Sequence, residues 1–490
     1  MKLSFSKYDQ PQNWRYLLLG SMALITLGAV YFAIRLKMNL LFGVPVVAAG
    51  TLLLVYDYKP LFFLMVAAIP VSIQYELPGA AAMDMVSEPL MLVFLMVWIL
   101  NLASGKQFGR KQRIYPFHIL VALILVWTLI TMVTSTYFLR SFKFFLSRLW
   151  YLAAFVYIGE KVLQDQKSIR NLIWAFFVPL VLIVFVTTIR HGLEGFSFES
   201  SNLVATPFYA NHVIYGACVT LFVPFAFYLL TQYTPKSLNW YLAAAGLGLL
   251  LIGVIFSYAR GAWITCFLAP FVAIAVVRKW LEPGIYVGIF VVAIGLFYLI
   301  NDNTYYKFAP EYKKTVFHEG DLEGHLSATF EGEEMSTMER FYRWIAAFRM
   351  TANKPLLGFG PSTFNQNYKR FADDSFRTYV SDNPEQSTTH NYFLMTFSEQ
   401  GLVGGSLFLG FCLFMMIKGA RLYHRVESRE RKWLILAILM SESVIILHSF
   451  LNELIEVDKV GAMFWLGWVM VHKLEVWEDQ EDESIGKLTD

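Results

Sequence analysis

The sequence predicts an all-α fold: a polytopic membrane helix bundle of 12–14 transmembrane helices with one large extracytoplasmic loop subdomain. Three observations lead there. The 490 residues are 57% hydrophobic and only 16% charged, against about 45–50% and about 25% in soluble domains. Apolar runs recur at roughly the 20-residue length that spans a bilayer. A single mostly polar stretch of about ninety residues, 301–392, interrupts this pattern.

The elements follow in order. The first apolar run, 16–34, comes after Lys7 and Arg15. It is longer than a signal-peptide core and has no small-x-small cleavage site, so it reads as a membrane helix. Further spans are expected near 38–56, 60–74, 89–103, 115–136, 148–163, 171–189, 213–232, 240–257, 262–277 and 283–300. The final group is expected near 401–417, 433–448 and 460–473, with 474–490 as a solvated acidic tail. The domain plan is thus 1–300 (eleven membrane helices), 301–392 (the large loop), 393–473 (C-terminal membrane helices) and the tail.

Basic residues set the orientation. Lys106, Arg110, Lys111 and Arg113, and the basic stretch 418–432, mark inside loops. Residues 75–88 contain Glu76, Asp84 and Glu88 and no Lys or Arg, so they read as outside. Both termini then lie in the cytoplasm and the large loop lies outside. The net charge of +3 argues against nucleic acid as a partner, since nucleic-acid binders carry a basic excess. Cys218, Cys266 and Cys412 sit in apolar runs without metal-ligand spacing.

The large loop is not low in complexity. Phe341, Trp344, Ile345 and Phe348 recur at helical spacing, which predicts an amphipathic helix over 337–350. Four groups of residues have the chemistry of a site. His390, in Thr389-His390-Asn391, stands at the outer mouth of a membrane helix that Gly401 ends or kinks. An imidazole titrating near 6.5 suits a general base, although an interfacial histidine bonded to backbone would look the same. Arg260, in Ser257-Tyr258-Ala259-Arg260-Gly261, lies at a helix end in an apolar stretch, where a cation faces a cavity or snorkels to the interface. Arg340 and Arg343 share a face of the amphipathic helix, and the guanidinium fork matches phosphate oxygens. Pro355, Gly358, Gly360 and Phe364 form a turn whose backbone N–H groups could face a ligand. Glu453, Glu456 and Asp458 are further candidate bases, and Glu442 and His448 lie in or near a span. The sequence has no D-x-D in the outside loops, no phosphate-binding P-loop and no H-E-x-x-H, so no metal is expected.

Taken in this order, the motifs resemble the O-antigen ligase and polymerase family of bacterial membrane glycosyltransferases. Arg340 stands four residues before Trp344. Pro355, Gly358, Gly360 and Phe364 match a P-x-x-G-x-G-x-x-x-F stretch. His390-Asn391 is followed, after nine intervening residues, by Gly401 and Gly404. Ser257 to Gly261 matches an S-x-x-R-G segment. The resemblance covers about 205–420. The first 200 residues share only general character, and the spans exceed the twelve usual in ligases.

The resemblance implies a GT-C-like fold in the bacterial inner membrane. It implies metal-independent, inverting transfer of a glycan, without cofactor, from a polyprenyl (undecaprenyl) diphosphate carrier held among membrane lipid. The acceptor would be a sugar hydroxyl of the lipid A-core or of another glycan. His390, Arg260 and Arg340 would be catalytic, and Arg343, Asn391, Trp344, His212, Gly358 and Gly360 would contact substrate. A ligase, a polymerase extending lipid-linked repeats and a protein glycosyltransferase share these motifs; the ligase is the leading expectation. A polysaccharide transporter or flippase would instead show internal repeats and midplane charges.

Overall fold

The structure, a computed structural model, describes residues 57–77, 81–103, 114–308, 335–377, 381–383 and 387–489. The expected spans 16–34 and 38–56 and the basic loop 106–113 lie outside the described residues. Among the described residues the chain is helical apart from one hairpin.

The helices run α1 (Lys59–Ala68), α2 (Ser87–Ala103), α3 (Pro116–Val133), α4 (Phe138–Val162, with a π-helical stretch at Leu152–Ile158), α5 (Gln166–Leu193), the short α6 (Ser200–Ala205), α7 (His212–Gln232), α8 (Leu238–Phe256), α9 (Arg260–Val277) and α10 (Leu281–Ile300). There follow α11 (Met335–Asn353), the short α12 (Phe364–Asn367), α13 (Tyr392–Arg425), α14 (Arg429–Ser449) and α15 (Asp458–Thr489). Nine of these described helices, namely α3–α5, α7–α10, α13 and α14, are long and apolar enough to cross a membrane. The chain is an all-α, multi-pass membrane protein.

Polar side chains set several helix starts. Asp165 and Ser168 form a capping box at α5, with Ser168 N donating to Asp165 Oδ1 at 2.7 Å. Asn211 and Asn391 accept from Ile214 N and Leu394 N at 2.9 and 3.0 Å and so start α7 and α13. Each satisfies an amide that the first helical turn leaves unpaired.

Among these nine helices α7 and α14 are the most enclosed, and α10 is the least, with its apolar stretch unburied. Phe290 and Phe297 of α10 are exposed. Apolar surface on this scale belongs to a lipid environment, where helices keep every backbone hydrogen bond internal.

Several expectations are corrected. Residues 60–74 do not form a span. α1 has ten residues, about 15 Å of helix and half a bilayer core. After it the chain turns and enters an antiparallel hairpin, β1 (Ile73–Leu77) against β2 (Ala81–Met85), with Ile73 opposite Met85. The acidic tail is docked in part, although residues 480–484 are exposed. α15 continues through it and lies against the basic turn between α13 and α14. Lys418 meets Glu475 at 2.7 Å, Arg425 meets Asp479 and Asp482 at 2.7 and 2.6 Å, and Arg431 meets Glu478 at 3.0 Å and also Glu481. Opposite charge on neighbouring helices draws the segment in.

The amphipathic helix is present as α11, but its buried stripe is rotated from the expected one. Met338, Tyr342, Ala346, Ala347 and Met350 are buried, while Phe348 is 41% exposed. The two alanines let α11 approach its neighbours closely. The stripe also takes in Glu339 and Arg343, which neutralise each other at 3.1 Å.

α13 is bent at Gly401 (φ 70°, ψ −177°). The bend frees backbone groups, and the loop 355–364 satisfies them. Phe359 N donates to Ser398 O at 3.3 Å, Gly360 N to Glu399 O at 2.8 Å and Leu402 N to Pro355 O at 2.7 Å. The Glu399 carboxylate accepts from Ser362 N and Phe364 N, both at 2.8 Å. A Cβ on Gly401 would stand 2.0 Å from Leu356 O. Gly401→Ala should therefore cost more than the roughly 1–3 kcal/mol of backbone strain alone. Thermal denaturation of the purified protein should show a clear drop in melting temperature; an unchanged melting point would contradict this fit.

Candidate functional site

The site is built on the turn that precedes α13. His390 takes φ 51°, a left-handed conformation that histidine tolerates better than most residues. Two elements clamp this turn. From α11, Trp344 Nε1 donates to Thr389 O at 2.9 Å and Arg343 Nη1 to Thr388 O at 3.3 Å. From the segment after α14, Glu453 Oε1 accepts from Asn391 N at 3.1 Å and lies 3.0 Å from Thr389 Oγ. The backbone of His390 is thus held from both sides while its side chain bonds to Asn452.

The electrostatics at His390 are mixed. Burial pushes the imidazole below its usual 6.5, and the positive charges of Arg343 and Arg340 add to this. Glu453 and the hydrogen bond to Asn452 oppose it. Removing water and placing cations nearby both disfavour the imidazolium, so a neutral, proton-accepting ring is favoured near pH 7.

The two arginines of α11 differ in environment. Arg343 is 6% exposed and ion-paired with Glu339, whose other oxygen accepts from Ser381 Oγ. Its charge is used inside the fold. Arg340 is half-buried, with its charge felt at His390.

Arg260 opens α9 in a second cluster. The preceding turn has Tyr258 at φ 52°, with its hydroxyl donating to Phe196 O at 2.6 Å. Gly216 of α7 lets that turn pack closely, since a Cβ there would lie 2.9 Å from both Ala259 Cβ and Ser257 Oγ. Gly261 packs on His448, which contacts Thr265 Oγ1 at 3.1 Å through Nε2. The Arg260 charge acts on His212, whose Nδ1 lies 2.6 Å from Asn202 Oδ1.

The structure thus brings His390 together with Arg340, Arg343 and Glu453, and places the Arg260 charge within reach of His212. One short segment joins the groups: His448 and Leu451 touch Gly261, Asn452 bonds to His390, and Glu453 holds the His390 turn.

Some expected contacts are differently employed. Gly358 and Gly360 do not offer their amides to a ligand, because these donate to Lys354 O and Glu399 O. Their positive φ of 65° and 104° and their close approach to Glu399 and Ser135 explain the glycines. The Asn391 side chain is occupied as the cap of α13, and the Trp344 indole N–H is spent on Thr389 O.

One group escaped the sequence reading. Arg148 of α4 is buried, and Nη2 donates to Tyr392 Oη at 2.8 Å and to Glu456 Oε1 at 2.6 Å. Beside it Tyr151 bonds to Asp458, and Lys459 Nζ donates to Ser72 O at 2.7 Å. An arginine within an apolar run was the available signal. Glu456 and Asp458 are consumed in this network.

No curated protein matches the chain. Residues 245–409 match the family model described as O-antigen ligase. The match contains Arg260, Arg340, the 355–364 loop and His390-Asn391. Over residues 245–409, about a third of its length, the chain is similar to the O-antigen ligase family.

Proposed function

We propose that the protein transfers a glycan from a polyprenyl diphosphate carrier to a sugar hydroxyl of the lipid A-core, with inversion and without a metal in the chemical step, at the outer face of the bacterial inner membrane. Both termini are then cytoplasmic. The observation that carries this reading is His390 on a doubly clamped turn beside Arg340 and Glu453. The acceptor oxygen forms a bond to the anomeric carbon as the bond from that carbon to the diphosphate oxygen breaks. The acceptor proton goes to the His390 imidazole and the electron pair leaves with the diphosphate. Arg340 and Arg260 stabilise the charge growing on that leaving group, where preorganised cations act strongly. Glu453 and Trp344 position His390, and Arg343 holds α11 to the same turn. Added magnesium should leave the rate unchanged.

The depressed affinity of His390 for protons gives a pH test. A neutral imidazole is the working form, so the transfer rate should be flat around neutrality and fall as pH drops below 6.5. The stability effect has the same sign. Unfolded chains take up the proton below 6.5 before the folded protein does, so the contribution of His390 is present above that pH and is lost as pH falls toward the folded value. A rate profile with its acid limb centred above 7 would contradict the assignment.

A further inference from the structure

Far from His390, three helices bring together His118, Glu160 and His472, and we infer that these side chains form a zinc-class metal site that clasps α15 to the bundle. One ligand atom from each residue lies within 4.8 Å of the other two. His118 Nε2 is 2.9 Å from Glu160 Oε1, and His472 Nε2 is 3.7 Å from the same oxygen. Bonds of about 2.0–2.1 Å to a tetrahedral ion place its ligand atoms roughly 3.3 Å apart, so these separations bracket what an ion requires. Two imidazoles and one carboxylate are a donor set that suits zinc.

The independent observation is His472. It is 3% exposed and its Nδ1 has no hydrogen-bond partner. Its ring stacks on Phe117 (5.1 Å, 20°) and meets the His118 ring edge-on at 4.6 Å. Its Nε2 faces Glu160 Oε1 from 3.7 Å, beyond hydrogen-bond range, so an ion bound there would give this nitrogen a partner while Nδ1 turns toward a carboxylate. That carboxylate is present: Glu475 Oε2 stands 3.8 Å from His472 Nδ1 and is itself paired with Lys418. A metal–histidine–carboxylate order of this kind fixes ring orientation in metal sites.

The site is separate from the transfer chemistry. The far end of α3 touches the glycine loop, where Thr136 N donates to Phe359 O at 2.9 Å. His118 lies fifteen residues before Val133, the last residue of the helix at that end, roughly 22 Å away at 1.5 Å per residue. Its role would be to join α3, α4 and α15.

The full-length protein, purified without a polyhistidine tag, should be stripped with a strong chelator and titrated with zinc. The expected result is about one bound zinc per chain and a raised melting temperature. His118→Asn and Glu160→Gln should each weaken zinc binding at least about tenfold; His118 is partly exposed, so its variant should fold. Failure of the wild-type protein to bind stoichiometric zinc, or equal binding by both variants, would overturn the inference. Transfer activity is not the readout, so this outcome is independent of the proposed reaction.

Discussion

Replacing His390 by alanine is expected to lower the rate of glycan transfer about 10²–10⁴-fold, the range that a positioned general base supplies. The fold should survive. The clamps on this turn involve Thr388 O, Thr389 O and Asn391 N rather than the imidazole. Alanine is less suited than histidine to φ 51°, so His390→Asn is the cleaner companion, since asparagine accepts left-handed backbone. Both variants should melt near the wild-type temperature and both should be inactive. Initial rates with a lipid-linked donor, measured beside thermal denaturation, separate the two effects. Near-normal transfer by a folded His390→Asn protein would remove His390 from the mechanism.

The arginines carry the second large effect. Arg340→Ala and Arg260→Ala should each slow transfer about 10²–10³-fold, the scale of one lost contact to developing negative charge. Lysine should restore only part, because it offers a point charge in place of a planar fork. Arg343→Ala should fail differently. It leaves Glu339 buried without its partner, and breaking a buried pair from one side costs about 3–5 kcal/mol. Melting temperature should fall for Arg343→Ala; an unchanged melting temperature for that variant would contradict its place in the fold.

The parts legible in the sequence depend on short-range spacing. Apolar runs of bilayer length give α3, α5, α7–α10 and α14 because each span is a local property. The His390-Asn391 pair and Gly401 are also local: one starts a helix and the other bends it. Position across the fold is not local. Phe341, Trp344, Ile345 and Phe348 have helical spacing, yet which face of α11 is buried depends on what packs there. Two alanines and an internal ion pair outweigh the aromatic rings. Gly358 and Gly360 read as a turn offering backbone N–H groups, but their amides bond to Lys354 O and Glu399 O, the second on a bent helix some forty residues later. The tail reads as solvated from its charge alone, and only the basic turn beside it shows why it docks. His118, Glu160 and His472 have no motif at all, since three separate helices must assemble before they meet.

The most direct test uses the purified full-length protein in liposomes, with a polyprenyl-diphosphate-linked oligosaccharide and a lipid A-core acceptor. The expected result is glycan attached to the acceptor with inverted anomeric configuration, one polyprenyl diphosphate released per transfer, and no product from the His390→Asn protein. Movement of the intact donor across the bilayer without any new glycosidic bond would contradict glycosyl transfer and leave a transporter in its place.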